Sequence, residues 1–244
     1  MAERAIPAYP QTPRRDVSDS YHGVRVVEDY RWLENFEDPE VQSWNAAQNR
    51  FTRALLDQIP GRAAIEARLR TLYTAVSAEH SALKARQGTI FAIKNQPPKE
   101  QPLLVVLDSA DDLASERVLL DPNVLDPSGS MTIDFYAPSL DGRLIAVSLS
   151  QNGSEEGTLH IYDVASGREL GDLIPRVTYP TAGGSVAWNA DASGIYYTRY
   201  LQGDERPPED RNFFQQVYFH LLGTPIEQDR YVIGEVTVDD ILRI

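Results

Sequence analysis

The second half of the chain repeats a pattern at a spacing of about 50 residues. Residues 138–147 match residues 188–197, and each stretch is a turn that leads into an apolar strand. The turn carries an aspartate in both copies, Asp141 and Asp191. A repeat of this length with several short strands is typical of β-propeller blades. An ordinary antiparallel sandwich with coincidental similarity is the alternative.

A second pair of segments repeats in the same order. Residues 161–167 match residues 217–223 at an offset of 56. The six extra residues fit within the polar loop at residues 202–211. Two repeats with nearly the same period favour the propeller over the sandwich.

Short apolar runs that are typical of β-strands fill the rest of this half. They lie at residues 89–93, 103–107, 144–149, 159–162, 185–188, 195–198 and 217–221. Turn dipeptides separate several of them: Asp141-Gly142, Asn152-Gly153, Ser166-Gly167 and Ser193-Gly194. We expect the first two runs to pair with each other, and the third to pair with the fourth. No helical stripe of useful length follows residue 76, so this half is predicted to be all-β.

The number of blades does not suffice for a closed propeller. Residues 76–244 hold about three units, whereas closed propellers have typically about 4–8 blades. An unclosed propeller leaves strand edges that invite pairing with other chains. The predicted fold is therefore mainly β, an incomplete β-propeller preceded by an extended arm and two α-helices, and the chain is expected to be part of a larger unit.

The first 35 residues are predicted to form the arm. Pro7, Pro10 and Pro13 recur at three-residue spacing, which favours an extended, polyproline-like conformation. Such an arm is ordered only if something packs on it. An aromatic cluster is expected to do so, and it comprises Tyr21, Tyr30, Trp32 and Phe36.

Two helices should follow the arm. Asp38 is a good N-cap, and Pro39 suits the first helical position. An apolar stripe with a polar interruption at Gln48 continues from there, formed by Val41, Trp44, Phe51 and Leu55. Pro60-Gly61 ends this helix, and a second helix is predicted over residues 62–73.

Composition excludes several classes of protein. The chain has no cysteine, which excludes a disulfide scaffold, a thiolate zinc site and a cysteine nucleophile. It carries 36 acidic and 23 basic residues for a net charge of −13, which disfavours binding to nucleic acid or an anionic membrane. No run approaches the about 20 apolar residues of a membrane helix, and no secretory signal is visible at the start. A cytoplasmic globular protein is expected.

Two series of motifs along the chain form a recognisable pattern. The first series comprises Tyr9-Pro10, Thr12, Arg14-Arg15-Asp16, Asp19, Tyr21-His22-Gly23, Val26, Tyr30-Arg31-Trp32-Leu33-Glu34, Val41, Trp44 and Gln48-Asn49. The second series comprises Leu119-Leu120-Asp121-Pro122-Asn123, Ser139, Asp141-Gly142-Arg143, Ser148, Ser150, Gly153-Ser154, Val186-Ala187-Trp188, Gln216-Val217-Tyr218-Phe219-His220 and Leu222-Gly223-Thr224. In this order the motifs resemble those of the prolyl oligopeptidase family of serine peptidases, and the similarity runs from about residue 7 to residue 231. Glu28-Asp29 departs from the family's Asp-Pro pair, which we interpret as a local change in an exposed turn.

The resemblance implies a division of the chain at about residue 75. Residues 1–75 would be the arm and helices that pack on an α/β-hydrolase domain in the family, and residues 76–244 would be about three blades of a seven-bladed propeller. The family's hydrolase domain and its whole Ser-Asp-His triad follow the propeller and are not in this chain. The intact enzyme would cleave short peptides after proline, and relatives in the superfamily cut after basic residues.

The sequence offers no convincing catalytic group of its own. Ser185, preceded by Gly183-Gly184, half-resembles the glycine-flanked nucleophile elbow of serine hydrolases, but no helix follows it. The four histidines lie far apart, without metal-ligand spacing: His22, His80, His160 and His220. The last two alternate with apolar residues and are expected on a polar strand face. Paired carboxylates at Asp111-Asp112, Glu155-Glu156 and Asp239-Asp240 are interpreted as solvated turns.

One residue is a candidate for substrate contact. Tyr179 corresponds, by the resemblance, to a propeller-loop aromatic that faces the peptide-binding cavity in relatives, although a surface aromatic next to Pro180 is an equal alternative. We assign no catalytic residue, no metal and no cofactor to this chain. The partners that the resemblance implies are short proline-containing peptides and the missing C-terminal hydrolase domain.

Two functions remain open at this point. The chain is either the propeller portion of a prolyl oligopeptidase-like endopeptidase, inactive alone, or a non-enzymatic binding or complementation module. The second function predicts a defined oligomer or a stable heteromer, because an open sheet edge can pair with another chain.

Overall fold

The computed structural model describes residues 8–75, 77–178, 184–200, 203, 205, 207–210 and 213–233. The chain divides into two compact units, Met1–Tyr73 and Thr74–Ile244. The first unit contains a hairpin and most of two helices, and the second contains three β-sheets.

The first unit begins with a β-hairpin where the sequence predicts only an extended arm. Strands β1 (Val17–Tyr21) and β2 (Val24–Glu28) pair antiparallel around a two-residue turn. His22 and Gly23 form this turn with φ of 49° and 81°, and a positive φ at both positions matches the twist of a hairpin. The two strands are largely exposed, so they lack the apolar alternation by which a strand is recognised.

The helix that follows begins as predicted, but it ends at Leu56, before the Pro60-Gly61 pair that was expected to end it. Helix α1 spans Pro39–Leu56, and an Asp38 carboxylate oxygen accepts a hydrogen bond from the Glu40 amide at 2.8 Å. This cap satisfies one of the free N–H groups of the first turn. The polar interruption of the apolar stripe also has a role, because the Gln48 side chain donates to the Pro10 carbonyl oxygen at 3.4 Å.

Aromatic side chains hold the arm in place, as expected, but not all the residues that were expected to do so. The Trp32 indole donates to the Pro13 carbonyl oxygen at 2.9 Å, and the Trp44 indole donates to the Thr12 hydroxyl at 3.0 Å. Trp44 was not among the four residues of the predicted cluster. Of the other three members, Tyr30 accepts a hydrogen bond from Arg14 Nε at 3.2 Å, whereas Tyr21 is 58% exposed and Phe36 is 70% exposed.

Helix α2 (Arg62–Thr74) forms where predicted and buries no residue. Its apolar side chains are all exposed: Ile65, Leu69, Leu72 and Tyr73. No helix in the described part of the chain combines the length and the apolar content needed to cross a membrane.

In the described part of the second unit, the chain forms three four-stranded antiparallel sheets, each a simple meander. The first contains β3 (Glu79–Arg86), β4 (Thr89–Asn95), β5 (Leu103–Leu107) and β6 (Arg117–Leu120), after which comes the short helix α3 (Pro122–Leu125). The second contains β7 (Met131–Pro138), β8 (Leu144–Gln151), β9 (Thr158–Asp163) and β10 (Glu169–Ile174). The third contains β11 (Val186–Trp188), β12 (Gly194–Arg199), β13 (Gln216–Leu221) and β14 (Arg230–Ile233). Successive four-stranded meanders are propeller blades, so the predicted three-blade architecture is confirmed.

The predicted strand pairs are present in the first two blades. Strand β4 pairs with β5, and β8 pairs with β9. The 50-residue repeat corresponds to the turn before the second strand of a blade. In blade two, Asp141 accepts hydrogen bonds from the Ser139 hydroxyl at 2.7 Å and the Arg143 amide at 3.1 Å. In blade three, Asp191 accepts from the Ser193 amide at 3.0 Å. The donors to Asp141, first the Ser139 hydroxyl and then Arg143, lower the pKa of this aspartate to about 2.

The hydrophobic core has three clusters among the described residues: one lies within blade one, formed by Ala92, Leu103, Val105 and Leu107, and two lie between neighbouring blades. The first of the two between blades joins blades one and two and includes Phe91, Leu104, Tyr136, Ile145 and Val147. The second joins blades two and three and includes Leu159, Ile161, Ile174, Ile195 and Tyr197. Blade two is therefore buried on both faces, which explains why the apolar run of β8 is continuous rather than alternating.

Candidate functional site at the first strands of the blades

The first strands of the three blades lie side by side. The Tyr136 hydroxyl on β7 contacts the carbonyl oxygens of Ala82 and Phe91 in blade one. The Trp188 indole on β11 donates to the Ala137 carbonyl oxygen at 2.8 Å. Propeller blades are arranged radially around a central channel, so strands that converge in this way form the channel wall.

Lys84 connects the first two blades on this wall. Its ammonium group donates to the Tyr136 carbonyl oxygen at 2.5 Å and lies 4.7 Å from the centroid of the Tyr136 ring. Burial, followed by the nearby charge of Arg86, lowers the pKa of Lys84. The hydrogen bond and the cation–π contact offset part of this desolvation cost.

A pocket of about 280 Å³ opens on the same wall. It is lined by Lys84, Arg86, Ala137, Pro138, Leu140, Val186, Ala187 and Trp188. Its residues come from the first strands of all three blades and from the turn after β7. The pocket therefore exists only because the blades are adjacent, and it combines two cationic side chains with an apolar lining.

The candidate Tyr179 lies outside the described residues, but the segment that precedes it is firmly held. The Val177 amide donates to the Gly157 carbonyl oxygen at 3.0 Å, and the Val177 carbonyl oxygen accepts from the Ser148 hydroxyl at 3.0 Å. Asp134 lies beneath them and contacts the hydroxyls of Ser148 at 3.1 Å and Ser150 at 2.6 Å. Burial raises the pKa of Asp134, and the two hydroxyls partly oppose that effect.

A buried polar network joins blade two to blade three. His220 on β13 is completely buried and lies between two carboxylates, Asp229 at 2.6 Å from Nδ1 and Asp172 at 3.0 Å from Nε2. The Tyr197 hydroxyl donates to Asp229 at 2.6 Å, and the Gly223 amide donates to Asp172 at 2.5 Å. Burial and the Asp229 contact raise the pKa of Tyr197.

The environment of His220 differs from the predicted solvated strand face. Both ring nitrogens lie within hydrogen-bond distance of carboxylate oxygens, so each already has a partner. Neither nitrogen is available to take a proton from a serine hydroxyl. The cluster therefore serves to hold two blades together.

Two of the other histidines, His80 and His160, are also held by neighbouring groups. His80 contacts Glu116 at 2.5 Å, His160 contacts Glu169 at 2.6 Å, and His22 lies in the β1–β2 turn. Within the described residues, no three His, Asp or Glu side chains form a group that could hold a metal ion.

Among the described residues, no hydrogen bond or ion pair joins Ser185 to the carboxylate pairs Asp111-Asp112 and Glu155-Glu156. Ser185 is followed directly by β11, so the strand–turn–helix of a nucleophile elbow is not formed there. Asp112 accepts from the Ala114 amide at 3.0 Å as the cap of a short 3₁₀ turn. The pair Asp239-Asp240 lies outside the described residues.

The three blades and the channel wall that their first strands form identify the described part of the chain as a portion of a β-propeller. The sequence model described as "Prolyl oligopeptidase, N-terminal beta-propeller domain" matches residues 10–242. The chain therefore belongs to the prolyl oligopeptidase family, and it corresponds to the N-terminal propeller portion. The resemblance inferred from the sequence is confirmed.

Individual relatives give the same result. The chain is 29% identical over 233 residues to the prolyl endopeptidase of Elizabethkingia meningoseptica, covering 93% of this chain and 31% of the relative. It is 27% identical to prolyl oligopeptidase A of Galerina marginata, covering 92% of this chain and 34% of the relative. The chain thus spans about a third of the length of these relatives.

Solved structures agree in fold. A prolyl endopeptidase studied for inter-domain dynamics in catalysis and specificity has a TM-score of 0.78 at 32% identity, covering 93% of this chain and 32% of that one. Prolyl oligopeptidase B of Galerina marginata, bound to a 25mer macrocyclization substrate, has a TM-score of 0.74 at 25% identity, covering 93% and 34%.

Proposed function

We propose that the chain is the substrate-gating portion of a serine endopeptidase that cleaves short peptides after proline. The observation that carries this proposal is the match of residues 10–242 to the N-terminal propeller domain of prolyl oligopeptidases. In this proposal the propeller admits short peptides through its channel and excludes folded proteins, because the walls of a packed propeller leave only a narrow passage.

The two parts of the chain, divided at the predicted boundary at about residue 75, have different proposed roles. We propose that residues 1–75 pack on the C-terminal α/β-hydrolase domain and that residues 76–244 provide part of the propeller. The exposed apolar side of α2 supports this role, because side chains such as Leu69 and Tyr73 form the kind of surface that is covered by a partner domain. A cytoplasmic location is part of the same proposal.

The partners proposed for the intact protein are short proline-containing peptides. The complex of the Galerina marginata relative with a 25mer peptide supports this class of ligand. Tyr179 is proposed to face the substrate, and the hydrogen bonds that hold Val177 support a defined path for the segment that leads to it.

The purified chain is expected to have no peptidase activity of its own, because the triad of the family belongs to the hydrolase domain. The measurement is release of the fluorophore from a proline-containing fluorogenic peptide, with a prolyl endopeptidase as the positive control. We expect the rate to equal that of buffer. Cleavage by the chain that the variant Ser185→Ala abolishes would contradict the proposal.

A further inference from the structure

Two neighbouring cations on the channel wall form no ion pair with any residue that the structure describes. Lys84 and Arg86 are separated by one residue on β3, so their side chains emerge on the same face of the strand. Their pairing with Phe91 and Thr89 on β4 is regular, which fixes that face. Across the described residues, neither side chain makes an ion pair, although acidic residues outnumber basic residues by 36 to 23.

The hydrogen bonds of the two cations leave most of their donors unused. Lys84 donates to the Tyr136 carbonyl oxygen, and Arg86 donates through Nη1 to the adjacent Ala85 carbonyl oxygen. The Nε atom of Arg86 is closed to solvent and has no acceptor among the described residues. A buried N–H donor without an acceptor is costly, by about 1–3 kcal/mol, so an acceptor at this position would stabilise the site.

The remainder of the pocket is apolar. Pro138, Leu140, Val186 and Trp188 line it opposite the cations within a volume of about 280 Å³. A ligand that fits this arrangement carries an anionic group with planar acceptor geometry next to an apolar side chain. A carboxylate matches the guanidinium group in this way, and it also pairs with an ammonium group.

We propose that the pocket formed by Lys84, Arg86 and Trp188 binds a peptide carboxylate. The assignment to a peptide rests on the proposed function, because peptides are the ligands that would pass along this wall. Binding places the carboxylate against both cations and the adjoining side chain against the indole ring. Burial, and after it the charge of Arg86, lowers the pKa of Lys84, and a bound anion would oppose both effects.

Trp188 provides a local probe for the test. The chain has three tryptophans, so labelling with 5-fluorotryptophan gives three ¹⁹F resonances, and the variant Trp188→Phe assigns the one in the pocket. The ligands are acetyl-Gly-Pro-Leu with a free C-terminus, the same peptide as its C-terminal amide, and acetyl-Gly-Asp-Leu amide. The second has no carboxylate, and the third carries one only on a side chain.

We expect the free acid to shift the Trp188 resonance saturably, while the resonances of Trp32 and Trp44 stay in place and the Gly-Pro-Leu amide has no effect. If the aspartyl amide also binds, the pocket accepts any carboxylate; if it does not, the ligand is the C-terminus. Equal binding of the Gly-Pro-Leu amide, or no shift with either carboxylate peptide at millimolar concentration, would overturn the proposal.

A pair of variants adds a second test. Arg86→Gln is expected to weaken binding of the free acid by about tenfold or more, the size of one lost charge-assisted hydrogen bond. Arg168→Gln removes an exposed cation that does not line the pocket, and it should leave the affinity unchanged. Equal loss in both variants would contradict a specific site. The acid–amide comparison on the unaltered chain does not depend on how Arg86→Gln folds, and it reports binding independently of peptidase activity.

Discussion

Replacing His220 with alanine is expected to lower the free energy of unfolding by about 2–6 kcal/mol, since two buried carboxylates each lose a hydrogen-bonding partner at a cost of about 1–3 kcal/mol. Asp172 and Asp229 would remain buried without the ring nitrogens that contact them. The change would also remove the hydrogen bond between β10 and β13, which is one link between blades two and three, while the bond from the Gly223 amide to Asp172 remains. Urea unfolding followed by circular dichroism measures the effect.

The matched control for this variant is His160→Ala. His160 also contacts a carboxylate, Glu169, but that carboxylate is 43% exposed. Because exposed pairs contribute at most about 1 kcal/mol, the control should change stability little. A His220→Ala variant that is no less stable than the control would show that the buried network does not hold the two blades together.

The second large effect is expected from Gly157→Ala. A Cβ atom at this position would lie 2.0 Å from the Ser148 hydroxyl, 2.6 Å from an Asp134 carboxylate oxygen and 2.8 Å from the Val177 carbonyl oxygen. All three distances are shorter than van der Waals contact, and Ser148 and Val177 are fully buried. We expect a loss of about 3 kcal/mol, at the upper end of the usual cost of overpacking.

Gly171→Ala is the control for this steric argument. Nothing lies within 4 Å of the position that its Cβ would occupy, so the variant should be neutral or more stable by up to about 1 kcal/mol. Thermal unfolding of both variants under the same conditions gives the comparison. Equal stability of Gly157→Ala and Gly171→Ala would contradict the close packing under the segment that leads to Tyr179.

Local rules account for the parts of the fold that the sequence predicts well. The start of α1 depends on Asp38 and Pro39, which act within one turn. Strands β5 and β8 are continuous apolar runs because both of their faces are buried. The repeat of Asp141 and Asp191 predicts blades because the same turn precedes the second strand of each.

The strands that were not predicted lie mostly at the inner and outer edges of the blades. Strands β10 and β14 are short and half-exposed, so packing on one side, rather than an apolar pattern, decides their conformation. The hairpin of β1 and β2 is not predicted from the sequence for the same reason. Its clearest local signal is the His22-Gly23 turn, because histidine adopts a positive φ more often than most non-glycine residues and glycine adopts it freely.

The site depends on contacts between residues distant in the sequence. The two carboxylates that contact the buried His220 ring belong to Asp172 and Asp229. The local sequence pattern of β13 does not predict either contact. The pocket joins Lys84, Pro138 and Trp188, which lie about 50 residues apart. The repeat period, applied to the first strand of each blade, is the signal that could have placed them together.

The DNA sequence beyond codon 244 tests the central claim most directly. If the chain is the propeller portion of a prolyl oligopeptidase-like enzyme, the same frame or a shifted one continues with further blades. A Gly-x-Ser-x-Gly elbow and then an aspartate and a histidine should follow. A stop codon followed by unrelated sequence in every frame would contradict the claim and leave the chain without the chemistry of its family.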